Sequence, residues 1–328
     1  MIISARRLLF TFFYATTSFF LYGADHSQIF YLLGEASYTE LSFRMERDLI
    51  IVPLSINDSE NMNFILDTGT ESPVILNRKY IQNLGLPLGR HVDFQGAGKK
   101  KTTSGQVINS MRMQIANAYT NHIGGVVLYD NTLSNLRING IQIHGIIGAS
   151  LFRSFAVEID YPNSTLRLYE DKSFLNNRNF SVQNLTVSRD RPILRSELKN
   201  RGRQYDINLM IDTGLSYELL IYDQALFNYS RLPTDKIGKG YSGNIVASTV
   251  HVEKLEFAGL QFSDVRMILP TTNTYRTNYN FIRDRDGTIG NKLLMGYCIV
   301  LDYAKSFFYI ERPTVIPKHP TFVADEKI

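Results

Sequence analysis

Two stretches decide the fold: Leu66-Asp67-Thr68-Gly69-Thr70 and Ile211-Asp212-Thr213-Gly214. Both carry the tripeptide Asp-Thr-Gly directly after an apolar run. In a chain of 328 residues, one such tripeptide occurs by chance in roughly one sequence in twenty from ordinary composition. Two copies in matching surroundings indicate a structure that is built twice.

The sequence around the tripeptides repeats as well. Gly145-Ile-Ile-Gly148 corresponds to Gly287-Thr-Ile-Gly290, and the numbers of their last glycines differ by 142, called the repeat offset below. Asp160 and Asp302 lie in similar apolar runs at the same repeat offset, whereas the two tripeptides are offset by 145. One loop can absorb the difference, so the repeat predicts two similar halves.

Alternating apolar residues and polar turns predict that the halves consist of strands. Residues 49–54 and 64–66 predict a hairpin before Asp67, and residues 193–198 and 207–211 predict its equivalent before Asp212. In both halves the tripeptide therefore lies where a buried strand runs out into a loop. Further strands are predicted at 107–115, 124–128, 245–252 and 265–269, and short helices at 77–84 and 223–229.

The chain divides into four predicted parts, with a polar join at 171–183. Residues 1–24 combine a basic start with an uncharged apolar stretch, which is typical of a signal peptide or, if it is not cleaved, an anchor. We expect lobes at 48–170 and 184–312, a loose tail at 313–328, and an exported, periplasmic or extracellular protein. Because one chain supplies both halves, we expect a monomer that meets a membrane only through an uncleaved N-terminal segment.

Two carboxyl groups that lie close together can divide acid and base chemistry between them. Like charges at short range cannot both ionise easily, so one pKa is lowered and the other raised. One group then activates a water molecule while the other protonates the substrate. Asp67 and Asp212, called the dyad below, are therefore the predicted catalytic residues. Predicted support comes from Thr68, Gly69, Thr213 and Gly214: the glycines permit tight loops, and the Thr68 and Thr213 hydroxyls can bond to the opposite half.

These motifs resemble those of the pepsin/retropepsin-type aspartic peptidases, and the short, disulfide-free chain is similar to the bacterial two-lobed members. The resemblance covers about residues 48–312. It implies an all-β, two-lobed pepsin-like fold with a cleft between the lobes. It also implies hydrolysis of peptide bonds in peptide or protein substrates by water held between Asp67 and Asp212, with no metal and no cofactor.

Two features depart from that family. A small hydroxyl residue often follows the tripeptide; Thr70 fits, but Leu215 does not, and Ser216 comes one position late. The family's flap tyrosine is also missing, and Phe94 is the nearest aromatic residue. A peptide-binding protein of the same fold without turnover is therefore the alternative function.

A second glycine pattern suggests a flap rather than a nucleotide site. Gly238-Lys-Gly240-Tyr-Ser-Gly243 matches G-x-G-x-x-G, but a strand pattern follows it where that motif requires a helix. Gly96 and Gly98 correspond to Gly238 and Gly240 at the repeat offset. These four glycines are thus the flap candidates, which would let backbone approach a substrate.

Composition excludes other classes of function. The formal charge of +4 and the lack of a basic stripe argue against nucleic acid. The six histidines show no metal-ligand spacing. Cys298 is the only cysteine, which excludes an internal disulfide, and its apolar surroundings predict a core residue.

Overall fold

The described residues fold into two similar β-sheets, a third sheet that joins them, and a two-stranded sheet of Arg137–Ile138 and Ile141–Gln142. Three predicted segments lie outside the residues that the structure describes. They are the signal segment at 1–24, the tail at 313–328, and the helix at 223–229 except for Phe227. Within those residues, no helix is long and apolar enough to cross a membrane. The computed structural model describes residues 30–94, 103–129, 133–171, 173–175, 178–222, 227, 232–240, 243–271 and 284–311.

Strands dominate both halves, which confirms the all-β prediction. Those of the first half are β1 (Tyr31–Leu32), β2 (Tyr38–Ser42), β3 (Arg44–Glu46), β4 (Leu49–Ile56), β5 (Met62–Leu66), β6 (Val74–Ile75), β7 (Leu88–Phe94), β8 (Thr103–Ile115), β9 (Ala118–Leu128), β10 (Arg137–Ile138), β11 (Ile141–Gln142), β12 (Gly145–Ile147), β13 (Ala156–Asp160) and β14 (Thr165–Tyr169). Those of the second half are β15 (Phe180–Asn184), β16 (Thr186–Ser188), β17 (Arg191–Asn200), β18 (Arg203–Asp212), β19 (Leu219–Ile221), β20 (Asp235–Gly240), β21 (Gly243–Phe257), β22 (Leu260–Pro270), β23 (Gly287–Gly290), β24 (Cys298–Asp302) and β25 (Phe307–Glu311). The helices found among the described residues are α1 (Ala149–Ser154) and α2 (Asn291–Leu294), with 3₁₀ turns at Arg78–Tyr80 and Ser173–Leu175.

Both halves use the same strand pairing. In the first, β12 lies parallel to β5 and antiparallel to β6. In the second, β23 lies parallel to β18 and antiparallel to β19. The hairpin β8–β9 corresponds to β21–β22. The resulting sheets have nine strands (β1-β9-β6-β12-β5-β4-β8-β7, with β3 on β4) and eight (β16-β17-β18-β23-β19-β22-β21-β20).

The repeat extends to unusual backbone conformations. Arg47 and Asp48 have φ of 51° and 62°, and their counterparts at the repeat offset, Arg189 and Asp190, have φ of 48° and 61°. Successive residues with positive φ form the tight turn that suits the twist of a hairpin. These turns connect β3 to β4 and β16 to β17, so the equivalent strands enter each sheet in the same way.

The third sheet belongs to both halves. Its six strands run in the order β15-β25-β24-β13-β14-β2. Strand β2 lies upstream of Asp48, where the sequence placed the start of the first lobe, and β15 occupies part of the predicted join at 171–183. Tyr38 and Phe180, which begin β2 and β15, are again related by the repeat offset. The repeat therefore starts earlier than the apolar pattern indicated.

The predicted helix at 77–84 is wrong in extent. Only Arg78–Tyr80 forms a 3₁₀ turn, in which the Asn77 side chain accepts the Lys79 N–H at 3.0 Å. Gly85 then turns the chain with a φ of 61°, and Pro87 cannot donate a helical hydrogen bond.

Buried hydrophobic side chains form one main core that draws on both halves. Residues of β5 and β12 contribute from the first half, and residues of β18 and β23 contribute from the second. Cys298 on β24 is 6% exposed, which confirms its predicted place in the interior. Burial raises the pKa of its thiol, so it is a poor nucleophile.

Candidate active site

Each tripeptide holds its aspartate in a short turn at the end of a buried strand. Asp67 follows β5 and Asp212 ends β18, and both side chains are fully buried. The Gly69 N–H donates to Asp67 Oδ1 at 2.7 Å, and the Gly214 N–H donates to Asp212 Oδ1 at 2.8 Å. Backbone hydrogen bonds of this kind favour the charged carboxylate and fix its orientation.

The two carboxyl groups face the same point between the lobes. A Cβ atom built on Gly69 would lie 3.0 Å from Asp67 Oδ1 and 3.6 Å from Asp212 Oδ1. A side chain at Gly69 would therefore meet both acids. The structure brings together the two residues that the sequence singled out, although they come from opposite halves of the chain.

Thr68 and Thr213 connect the two loops by reciprocal hydrogen bonds. The Thr68 hydroxyl donates to Ile211 O at 2.7 Å and accepts the Thr213 N–H at 3.1 Å. The Thr213 hydroxyl donates to Leu66 O at 2.8 Å and accepts the Thr68 N–H at 3.1 Å. All four bonds are buried, so each also satisfies a polar atom that has no access to water.

Gly148 and Gly290 let a neighbouring strand end pass against each loop. A Cβ atom on Gly148 would lie 1.9 Å from Asp67 O, and one on Gly290 would lie 2.1 Å from Tyr217 O. Real Cβ atoms do not approach that closely, so both positions require glycine. The segments that end at Gly148 and Gly290 therefore pack directly against the aspartate loops.

The two carboxyl groups differ in one contact. The Thr70 hydroxyl donates to Asp67 Oδ2 at 3.1 Å. In the second half Leu215 takes the equivalent position, and no N–H or hydroxyl group of the described residues donates to the buried Asp212 Oδ2. Ser216, one position later, is fully buried.

Burial and mutual repulsion separate the dyad from ordinary carboxyl groups. Burial raises the pKa of Asp67 well above its usual range, and the charge of Asp212 raises it further. Burial raises the pKa of Asp212 to about 6, while the Gly214 N–H, a hydrogen bond from Asp67 and the charges of Arg285 and Arg191 lower it. Because the two groups interact strongly, their protons are lost in two separate steps that belong to the pair.

Only two of the four flap candidates, Gly238 and Gly240, lie within the described residues. Gly96 and Gly98 fall in the gap after β7, which ends at Phe94. Gly238 and Gly240 lie in β20, and Gly240 pairs with Gly243 across the hairpin to β21. This segment is a β-hairpin and lacks the strand-turn-helix unit that nucleotide binding requires.

Three residues near the dyad were not predicted from the sequence. Arg191, 3% exposed, reaches from the second half to donate to Gly69 O at 3.3 Å. Asn291 donates to Thr213 O at 2.6 Å and to Asp48 O at 2.8 Å, and its Oδ1 accepts the Tyr161 hydroxyl at 2.7 Å. Glu71 lies 3.5 Å from Arg191, and burial raises its pKa to about 7. Arg191 could have been noticed because it replaces Leu49 at the repeat offset.

A cluster of metal-ligand type lies elsewhere, in the third sheet. Glu158, Asp160 and Cys298 approach one another within the described residues. Two guanidinium groups already occupy this cluster: Arg178 donates to Glu158 Oε2 at 2.8 Å and to Cys298 Sγ at 3.0 Å, and Arg167 pairs with Glu158 Oε1. A further cation would be repelled there.

Comparisons with known proteins agree with this geometry. Residues 52–151 match a family model described as aspartyl protease. The fold is similar to that of an aspartic proteinase from Irpex lacteus, with a TM-score of 0.56, 10% identity, and coverage of 86% of this chain and 99% of the other. No curated protein sequence matches. The sequence match is confined to the first half, and the structural likeness shows that the chain has the two-lobed fold of that aspartic proteinase.

Proposed function

We propose that the protein is an aspartic endopeptidase that hydrolyses peptide bonds with a water molecule activated between Asp67 and Asp212. The observation that carries this proposal is the convergence of two fully buried carboxyl groups on one point, 3.0 and 3.6 Å from a Cβ built on Gly69. The unequal pKa values supply the division of labour that general acid–base catalysis requires.

In the proposed reaction, the Asp212 carboxylate accepts a proton from water as the water oxygen attacks the peptide carbonyl. Protonated Asp67 donates to the carbonyl oxygen, which gives a tetrahedral diol. Asp212 then returns its proton to the leaving nitrogen while the C–N bond breaks, and Asp67 recovers its proton from the diol hydroxyl. The aspartates form no covalent bond to the substrate, and both return to their starting protonation states.

The experiment compares the parent protein, from Asp25 onward, with Asp67→Asn and Asp212→Asn on a diverse peptide library from pH 3 to pH 8. Cleavage by the parent that both variants lose supports the peptidase. The alternative is a peptide-binding protein of the same fold, which the lack of a hydroxyl donor at Asp212 Oδ2 among the described residues favours. Binding without cleavage at every pH would establish that alternative instead.

We also propose export as a monomer, with residues 1–24 acting as the signal segment. Both aspartates come from one chain, so the site needs no second copy. N-terminal sequencing of protein recovered from expressing cells would reveal cleavage near Ala24, whereas an intact Met1 in a membrane fraction would show an anchor. Gel filtration tests the monomer: elution as a dimer would contradict it.

A further inference from the structure

The side-chain amide of Asn291 joins the Asp212 loop to the first half of the chain. Asn291 begins α2 and is fully buried. Its Nδ2 donates to Thr213 O at 2.6 Å and to Asp48 O at 2.8 Å. Its Oδ1 accepts the Tyr161 hydroxyl at 2.7 Å. Asp48 and Tyr161 belong to the first half, so one amide contacts both halves of the molecule.

The orientation of this amide is determined by its partners. Two of them, Thr213 O and Asp48 O, are carbonyl oxygens, which can only accept a hydrogen bond. The NH2 group must therefore face them, and both of its protons are used. The hydroxyl of Tyr161, a residue that is 6% exposed, donates to the amide oxygen. Rotation of the amide would set its oxygen against two carbonyl oxygens, which is unfavourable away from water.

Asn291 reaches the Asp212 carboxyl group through one peptide unit. The Thr213 carbonyl and the Gly214 N–H belong to the same peptide group, whose atoms lie close to a plane. The amide holds the oxygen of that group, and the Gly214 N–H donates to Asp212 Oδ1 at 2.8 Å. The backbone N–H of Asn291 also donates to Leu215 O at 3.0 Å. The loop is thus held on both sides of the N–H group that orients the carboxylate.

The first half has no amide at the equivalent position. The repeat offset relates Asn291 to Ala149 and Tyr161 to Tyr303. The Ala149 N–H donates to Thr70 O at 2.8 Å, which repeats the backbone contact of α2, but alanine offers no side-chain donor. Within the described residues, the buried Tyr303 hydroxyl has no hydrogen-bond partner. The halves therefore share the backbone contact and differ in the side chain that holds the peptide group.

We propose that Asn291 is a positioning residue for Asp212: its amide fixes the peptide group between Thr213 and Gly214 to the first half, and the Tyr161 hydroxyl holds that amide in its orientation. The inference deepens the proposed function, because its kinetic consequence rests on Asp212 taking the proton from water. A carboxylate that is already held in place needs no rearrangement when the water reacts, which favours catalysis.

The first experiment compares the parent protein with Asn291→Ala, which places the residue of the first half at this position. Without the amide the peptide group can tilt, and we expect kcat to fall by about tenfold to 100-fold, because misplacement by about 1 Å can cost about 100-fold. KM should stay within about twofold of the parent value, because the amide contacts the backbone of the loop and acts on the reaction step.

Tyr161→Phe is the milder variant, and Tyr303→Phe is its matched control. Tyr161→Phe keeps the Asn291 amide but removes the hydroxyl that orients it, so kcat should fall by a smaller factor. It should add nothing to the loss in Asn291→Ala, because Tyr161 acts through the amide. Tyr303→Phe removes a hydroxyl that has no partner among the described residues and should leave kcat unchanged. This pair provides the test if Asn291→Ala does not fold.

A second measurement needs no turnover. Hydrogen exchange followed by NMR compares the Gly214 and Gly69 amides, each of which donates to the aspartate of its own loop. In Asn291→Ala, exchange at Gly214 should accelerate by about tenfold or more, because the loop can then open locally, while Gly69 keeps the parent rate. Tyr161→Phe should accelerate Gly214 less, again without a change at Gly69. A general loss of stability would instead accelerate both amides.

Unchanged kcat and unchanged Gly214 exchange in Asn291→Ala would overturn the inference. Equal acceleration at Gly69 and Gly214, or a loss of kcat in Tyr303→Phe as large as that in Tyr161→Phe, would overturn it as well. Absence of cleavage by the parent protein would contradict the proposed peptidase function alone, because hydrogen exchange still reports whether Asn291 holds the Asp212 loop. The two failures are therefore distinguishable.

Discussion

Single residues make the two carboxyl groups unequal. Asp67 Oδ2 receives a hydrogen bond from the Thr70 hydroxyl, and Leu215 occupies the equivalent place beside Asp212. A hydroxyl donor favours the charged form of a carboxyl group. The Thr70 hydroxyl thus favours ionisation of Asp67, whereas the charges of Arg285 and Arg191 favour ionisation of Asp212.

Leu215→Thr should supply the missing donor. Its hydroxyl would stabilise the Asp212 carboxylate, so we expect the acid limb of kcat/KM to move to lower pH. Because Leu215 is fully buried, the same change should reduce the free energy of unfolding by about 2 kcal/mol. Thr70→Val is the matched variant and should move the alkaline limb upward, since Asp67 then keeps its proton longer. A rise of the acid limb in Leu215→Thr would contradict this prediction.

Asp212→Asn should stabilise the protein at neutral pH. Burial raises the pKa of Asp212 from 3.8 to about 6, so the unfolded chain releases this proton at lower pH than the folded one. The stability that this group contributes is therefore fully present below pH 3.8 and is lost as pH rises through 6. Asparagine removes that loss, on the order of 2 kcal/mol at pH 7. Urea unfolding should show the gain at pH 7 and little of it at pH 4; an equal gain at both would refute the linkage.

At the scale of elements, the strand ends beneath the loops decide whether the dyad is held in place. Gly148→Ala should force the end of β12 away from Asp67 O, because the added Cβ would lie 1.9 Å from that atom. We expect a loss of about 100-fold or more in kcat, as for misplacement by about 1 Å. Gly124→Ala on β9, where the nearest atom is 3.5 Å away, is the control. Equal activity in both variants would show that the loop tolerates the shift.

Thr68→Val should weaken the contact between the loops from both sides. It leaves Ile211 O without its hydroxyl donor and the Thr213 N–H without its acceptor. We expect a loss of about 2 to 4 kcal/mol in the free energy of unfolding, because both groups are buried and would lose this hydrogen-bond partner. Thr213→Val should cost a similar amount, because its hydroxyl makes the equivalent pair of bonds to Leu66 O and the Thr68 N–H. If either variant keeps the stability of the parent protein, the reciprocal bonds do not contribute to holding the loops together.

The sequence predicts those elements whose apolar alternation is strong. The hairpins before Asp67 and Asp212 follow directly from it, and the tripeptides locate the dyad. Strands β2 and β15 were not predicted because they are short and lie at the edges of the third sheet. Many of their residues are exposed there, so the alternation of apolar and polar residues is weak. The roles of Arg191 and Asn291 were not predicted for another reason. Their partners, Gly69 and Thr213, are 122 and 78 residues away in the sequence, and a local sequence pattern cannot indicate such a contact.

For the whole molecule, the third sheet determines whether the halves remain together. Glu158 on β13 is fully buried between Arg167 and Arg178. Arg178 also binds Glu311 at the end of β25, at 2.5 Å. One guanidinium therefore connects a strand of the first half to the last strand of the second.

Arg178→Met should cost about 3 kcal/mol in the free energy of unfolding, because it leaves a buried carboxylate with one partner fewer. Arg195→Met removes an exposed pair with Asp206 and should change stability by under about 0.5 kcal/mol. Urea unfolding at pH 7 measures both. If the two variants lose equally little, the cluster does not contribute to joining the halves.

The reciprocal bonds of Thr68 and Thr213 have the form of a two-fold interface, in which each side offers the other the same groups. In a dimer of identical chains, every substitution beside one aspartate appears beside the other, and the two acids remain equivalent by symmetry. A single chain that carries both halves is free of that constraint, because each half can hold its own residue at an equivalent position. Leu49 and Arg191 mark one place where the halves differ. One continuous chain can therefore give two similarly placed carboxyl groups different surroundings.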